Sequence, residues 1–125
     1  MLMRESEVAV ADNSGALRAL IYSIYGGTRK KIARVGDVVR VAIKAVVPNG
    51  KIKKGFVCKA IVLRTKYCVT SFDGNRAYAG ENAVALLNEA GLPIGTRIFG
   101  FASREAFRNQ PEAIAKMASF CEEVY

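Results

Sequence analysis

A chain of 125 residues, 51% apolar and 24% charged, has the length and balance of one domain that can bury a modest core without disulfide staples, and it is too apolar for a disordered tail. It carries 19 Lys and Arg against 11 Asp and Glu, a formal charge of +8, and no histidine. The charge favours polyanionic partners, while the missing histidine removes Ser-His-Asp and Cys-His catalysis and the Cys/His zinc sites.

In chain order, Val8–Val10 reads as a short apolar strand, and Asp12, Asn13, Ser14 and Gly15 follow as a turn cluster whose side chains can bond nearby backbone. Leu17–Tyr25 is rich in β-branched and aromatic residues and stops at Gly26-Gly27. From Val38 to Val47 the alternation predicts a half-buried strand. Val39, Val41, Ile43, Ala45 and Val47 share one face, with Arg40 and Lys44 on the other. Pro48-Asn49-Gly50 marks a turn, Lys51–Gly55 a basic loop, Phe56–Thr65 a further strand and Asp73-Gly74 another turn. Ala83–Leu87 and Ile94–Phe101 are the last strand candidates. Short strands joined by Gly-bearing turns suggest a small closed barrel, which disposes of exposed sheet edges.

The final quarter changes period. Pro111 suits a first helical turn, and Ile114, Met117, Ala118 and Cys121 recur on one helical face, so 111–123 is predicted as an amphipathic helix packed on the barrel. A shorter helix is expected after Ser103. We therefore expect one domain over 1–125, with the barrel over about 1–101 and the helical segment over about 102–125.

Residues 1–80 hold 15 Lys and Arg and 5 Asp and Glu, while residues 81–125 hold 4 and 6. The basic body contains two clusters. Thr28-Arg29-Lys30-Lys31 with Arg34 follows Gly26-Gly27, and Lys51, Lys53 and Lys54 crowd the turn between two strands. One such loop is ordinarily a solvated turn. Two of them, with Lys44, Lys59, Arg64 and Lys66 in or beside strands, point to nucleic acid.

No catalytic constellation is present. The stretch Gly50–Phe56 superficially resembles a phosphate-cradling loop but has Phe56 where that motif needs Lys and then Ser or Thr after its second Gly. Asp12, Asp37, Asp73 and Glu81 each lie beside a turn or a Gly, so they read as backbone-bonding turn residues. Cys58, Cys68 and Cys121 are odd in number and far apart, which fits neither a metal knuckle nor a closed disulfide set. A reducing compartment is the simpler reading. No apolar run approaches the ~18 residues of a membrane span, and MLMRESE lacks the features of a signal or transit peptide. An import signal removed earlier would leave the compartment open. No catalytic residue, cofactor, metal or membrane partner is expected.

The segments VADNSGA (10–16), GG and TRKK (26–31), VGD (35–37), PNGKIKKG (48–55), VCKAIVLRTK (57–66), NAVALLN (82–88) and PIGTRIFG (93–100), with the later pair Arg104-Glu105, resemble the universal large-subunit ribosomal protein fourteen family. The resemblance spans essentially the whole chain. It implies a mainly β fold: a small five-stranded β-barrel with a protruding basic hairpin and short C-terminal α-helices. It also implies a non-enzymatic structural constituent of the large subunit that binds large-subunit rRNA. The partners it implies are the neighbouring large-subunit ribosomal protein nineteen, small-subunit rRNA across an intersubunit bridge, and a ribosome-silencing factor. Carried over by position, Asn13, Arg18, Lys44, Lys51, Lys53, Lys54, Lys59, Arg64 and Lys66 would face rRNA, and Arg97 and Arg104 the intersubunit or partner surface. The basic-loop residues Arg29, Lys30, Lys31 and Arg34 join the expected rRNA set.

The departures from the family pattern are local. Where the family has a Lys- and Arg-rich run before a Pro-Asp-Gly turn, this chain has Tyr67–Phe72, and Ala79-Gly80-Glu81 replaces the usual Phe-Asp before Asn82. Leu17 stands where arginine is common. Lost RNA-seeking charge with a retained core pattern favours a mitochondrial ribosome over a bacterial one. Two other classes stay open at this stage. One is a free-standing small-barrel nucleic-acid-binding module. It would need stacking platforms, for which Tyr22, Tyr25 and Tyr78 are candidates that do not alternate with basic residues on one strand. The other is a small enzyme using Cys58 or Cys68, with no histidine to activate either.

Overall fold

The computed structural model describes residues 2, 3, 5–26, 32–48, 50, 52–66, 69, 70, 76, 77, 81–102, 107, 119 and 121–124. Among them the strands are β1 (Leu2–Met3), β2 (Glu7–Val10), β3 (Ala16–Ile24), β4 (Ile32–Ala33), β5 (Val38–Val46), β6 (Val57–Arg64), β7 (Val69–Thr70), β8 (Arg76–Ala77), β9 (Ala83–Leu87), β10 (Ile98–Ala102) and β11 (Cys121–Val124). The barrel strands expected from alternation and turn chemistry are found within a residue or two of their predicted limits. The last of the expected strands starts later, at Ile98, because Pro93 and Ile94 belong to the loop that bonds back onto β9.

Strands β2, β3, β5, β6 and β9 close into a barrel in that order. Four of the five junctions are antiparallel, and β2 closes the ring by pairing parallel with β9, Ala9 against Ala83 and Val10 against Val84. Closure leaves these strands no exposed hydrogen-bonding edge. The interior is filled from alternate positions, as pleating demands. Val39, Val41 and Ile43 from β5, Ala19 and Ile21 from β3, Ala60 and Val62 from β6, and Val84 and Leu86 from β9 are all buried.

A second apolar layer explains why β6 and β9 do not alternate. Ile61, Leu63, Ala83, Ala85 and Leu87 point out of the barrel, yet they are buried beneath Ile98 and Ala102 of β10, with Ala11 and Phe107 packed alongside. Covered on both faces, Ala60, Ile61, Val62 and Leu63 of β6 and the whole of Ala83–Leu87 read as continuous apolar runs, a pattern set by burial on both sides. Nothing equivalent covers the outer wall of β3 and β5 among the described residues: Arg18, Tyr22 and Lys44 are exposed there and Arg40 is partly exposed.

The turn after β2 is tied down by a buried carboxylate. Asp12, 5% exposed, accepts hydrogen bonds from the Ser14 backbone N–H and hydroxyl through Oδ1, and from the Leu86 N–H through Oδ2 at 2.9 Å. Asp37 works similarly at the β4–β5 turn, accepting from the Arg34 N–H at 2.8 Å. Both behave as backbone-bonding turn residues. Against the first turn packs Gly95, where an added Cβ would come within 2.8 Å of Asn13 Oδ1 and 3.0 Å of Asp12 Cβ. The side-chain-free position lets the 93–97 loop seat on the turn.

The chain end differs from the helical expectation. Cys121–Val124 is a strand pairing parallel with β10, Ile98 against Cys121 and Ala102 against Val124, so the helix predicted to run to Glu123 does not include residues 121–123. Pairing on the open edge of β10 satisfies N–H and C=O groups on both segments, a gain that outweighs a helical stripe whose last member was Cys121. The remainder of that helix and the one expected after Ser103 fall mostly outside the described residues. A separate antiparallel pair, β7 with β8, brackets the altered hairpin, Thr70 opposite Arg76.

Candidate nucleic-acid interface

The outer wall of β3, β5 and β6 carries a cluster of cations and aromatic rings. Arg40 and Lys59 are direct cross-strand partners, and the outward alternation of β5 continues from Arg40 through Ala42 to Lys44. Tyr25, just after β3, lies between the two cations. Its hydroxyl accepts a hydrogen bond from Arg40 Nη1 at 3.3 Å, and Lys59 Nζ stands 5.7 Å from its ring centroid. Lys59 Nζ also donates to the Glu89 carbonyl at 3.5 Å, and the Glu89 carboxylate sits 3.7 Å from Arg40 Nη2. The Tyr25 hydrogen bond, with smaller contributions from Tyr25 and Glu89 charge, pushes the Arg40 pKa further above its already high ordinary value. Arg40 is therefore a fixed cation at any physiological pH.

The β5–β6 connection is a second basic feature, and it is anchored. Ile52 is buried in the core at its tip side, while the Ile43 carbonyl accepts from the Gly55 N–H at 2.8 Å and the Ile43 N–H donates to the Phe56 carbonyl at 2.9 Å. Gly55 takes φ of +90°, the left-handed conformation that closes the turn. Lys53 and Lys54 are exposed on this braced loop and continue the positive strip past Lys44.

Other expected rRNA residues have different surroundings. Asn13 is exposed, but its amide is used internally: Oδ1 accepts from the Thr96 N–H at 2.9 Å and the Arg97 N–H at 3.3 Å, and Nδ2 donates to Thr96 Oγ1 at 3.2 Å. It works as a latch between the Asp12 turn and the loop before β10. Arg64 is only 8% exposed, and its guanidinium donates to the Phe99 carbonyl and to Glu81 Oε1, both at 3.0 Å. It binds β6 to β10 and to Glu81, the acid that stands where the family pattern usually has aspartate. Arg18 faces solvent in an ion pair with Glu7 at 2.7 Å, which at such exposure contributes little to stability and leaves the guanidinium free to exchange partners. Lys66 is exposed beside that pair, at a shallow depression of about 230 Å³ lined by Glu7, Ala9, Arg18, Lys66, Glu81 and Asn82. Two carboxylates facing two cations make this depression a poor phosphate site.

Arg34 is exposed at the end of the barrel. Arg97 is exposed too, its guanidinium 5.9 Å from the ring of the half-exposed Phe99. Arg29, Lys30, Lys31, Lys51 and Arg104 lie outside the described residues. The structure thus brings Lys44, Lys59, Lys53 and Lys54 into one strip, buries Arg64 and ties the exposed Asn13 side chain to the 96–97 loop. Sequence reasoning missed Arg40 as a member of the strip and Tyr25 as its organiser. Arg40 had a visible signal, since it shares the non-core face of β5 with Lys44.

The Cys58 reading gains nothing here, and Cys68 lies outside the described residues. Cys58 is buried in the barrel interior, and burial, aided by the charges of Asp12 and Glu89, pushes its thiol up to about 11, so it is protonated at neutral pH. A thiol in that state is a poor nucleophile. The closed five-stranded barrel accords with the mainly β fold that the family resemblance implies. A family model described as Ribosomal protein L14p/L23e matches residues 1–122.

Proposed function

The chain belongs to the Ribosomal protein L14p/L23e family, a structural and non-enzymatic family of the large ribosomal subunit, and from that premise we infer that it binds large-subunit rRNA through the bare wall of β3–β5–β6 and the basic loop at 51–54. The observation that carries this reading is the strip from Arg40 and Lys59 through Lys44 to Lys53 and Lys54. Cations fixed in direction by strands and a braced loop can register on a phosphate backbone without first being ordered. By their charge Arg18, Arg34, Lys66 and residues 29–31 are assigned to the same rRNA contact, whereas Arg64 and Asn13 support it by tying neighbouring elements together.

With roughly eight phosphates neutralised, affinity for a duplex rRNA fragment is expected to fall with salt at a log-log slope of about −7. Filter binding across a salt series measures it, and a slope near zero overturns the rRNA reading.

The acidic balance of residues 81–125 suits a protein neighbour or an exposed surface more than burial against RNA. We therefore assign Arg97 and Arg104 to a surface turned toward the small subunit, open to a silencing factor when subunits are apart, with ribosomal protein nineteen as a neighbour within the large subunit. Arg suits such a place, because its planar fork holds a phosphate while its stem packs on apolar surface, as the Phe99 contact illustrates. Changing both to Glu is expected to allow assembly into large subunits but lower the joined fraction in a gradient. An unchanged joined fraction in assembled particles removes the bridge assignment. The charge-poor stretch 67–72 supports a mitochondrial particle, and recovery of the native protein from a bacterial large subunit in the same gradient overturns that assignment.

A further inference from the structure

Tyr22 stands out on the bare wall. The register between β3 and β5 pairs Ile21 with Val41 and then Ser23 with Arg40, so Tyr22 is the extra residue of a β-bulge. A bulge re-aims the side chain it carries, and here it leaves a tyrosine ring 64% exposed beside Arg40, more exposed than any other large apolar or aromatic side chain described. Its neighbour Tyr25 is occupied, with Arg40 on its hydroxyl and Lys59 over its ring. The two tyrosines therefore have different tasks. Tyr25 spaces the two cations, and Tyr22 presents a ring with an unfilled face.

Charge complementarity selects the occupant. Arg40 stands beside Tyr22, Lys59 is the cross-strand partner of Arg40, and Lys44 follows on the same face of β5, with Glu89 the carboxylate against Arg40 and Glu5 bonded through its backbone N–H to the Ile21 carbonyl. Arg40 uses one N–H group on Tyr25 and one nitrogen toward Glu89, out of five N–H donors, so donors remain for a phosphate. An aromatic ring next to cations on the outer face of a sheet is the combination by which sheets hold unpaired nucleotides: the base stacks on the ring and the backbone lies on the cations. A duplex cannot use the ring, because its bases are already stacked on one another.

Resting on the rRNA reading above, we propose that the bulged Tyr22, with Arg40 and Lys59, is a site for an unpaired RNA nucleotide, the base stacked on Tyr22 and its phosphate held by the two cations. The site separates from general phosphate binding because it distinguishes single-stranded from duplex RNA.

The test uses the full chain with two probes: a single-stranded oligoadenylate of about twelve nucleotides, within the range such surfaces accommodate, and an RNA duplex of equal length. Tyr22→Ala is expected to weaken single-strand binding about tenfold, the scale of one lost stacking contact, with duplex binding and melting temperature unchanged. Tyr22→Phe keeps both affinities. Because the chain has no tryptophan, Tyr22→Trp adds a unique fluorophore that the single strand quenches and the duplex does not. Equal affinity of Tyr22→Ala and wild type for the single strand overturns the site, and is also the outcome if a protein covers this face. Duplex binding by the wild type then shows that the rRNA reading survives. If the wild type binds neither probe at low salt, that reading falls as well.

Discussion

Asp12→Ala is expected to lower the unfolding free energy by about 3 kcal/mol, the largest stability loss anticipated for a polar residue in this chain. The carboxylate is buried and serves three donors, one of them the Leu86 N–H in the fully buried β9. Truncation leaves that N–H without its acceptor in the core, and a hydrogen bond to a charged group together with an abandoned buried donor is worth roughly 1.5–3 kcal/mol. Loss of the Ser14 bonds loosens the turn as well, and through Asn13 and Gly95 it loosens the loop before β10. For a domain of this size the midpoint should fall by about 10 °C, as read by calorimetry. Asp12→Asn keeps one oxygen for Leu86 but offers N–H groups to the Ser14 donors, so it should fall between the two. A loss below about 0.5 kcal/mol for Asp12→Ala, the range of ordinary surface changes, would show that the turn is held by packing alone.

The triple change Lys51, Lys53 and Lys54 to Ala is expected to have the largest effect on RNA affinity. Removing three phosphate contacts should flatten the salt slope by about 2.5 and weaken duplex binding at moderate salt by roughly a hundredfold. Stability should move by no more than about 0.5 kcal/mol, because Ile52, Gly55 and the Ile43 backbone bonds hold the loop while the Lys53 and Lys54 side chains are exposed. Titration and melting on the same preparation separate these outcomes. A melting collapse that accompanies the binding loss would make the lysines structural, and an unchanged salt slope would remove the loop from the interface.

Local physics was legible in the residue order wherever a single strand or turn decides the outcome. The clean alternation from Val38, the Asp-Asn-Ser-Gly cluster at 12–15 and the strand at 83–87 each needed only period-two pleating or turn chemistry, and each is found in the fold. The exposed basic residues Lys53 and Lys54 between β5 and β6 were legible as well, because charge is written in the residues themselves. Seven motifs in order carried the family resemblance.

Tertiary structure decided what depends on neighbours distant in the chain. Arg64 looks like any other strand cation until β10 covers it, and the Phe99 carbonyl, 35 residues away, takes its guanidinium. Asn13 reads as a free turn residue until the loop at 96–97 brings two N–H groups to its oxygen. A helical stripe ending at Cys121 gives way where the open edge of β10 offers backbone partners. Tyr25 does not alternate with basic residues on its own strand, and it meets Arg40 and Lys59 only because β3, β5 and β6 lie side by side. Alternation tells which side of a strand a residue takes. Barrel closure and the covering strand then determine whether that side meets apolar core, a carbonyl or solvent, and so which cations are left to meet a phosphate.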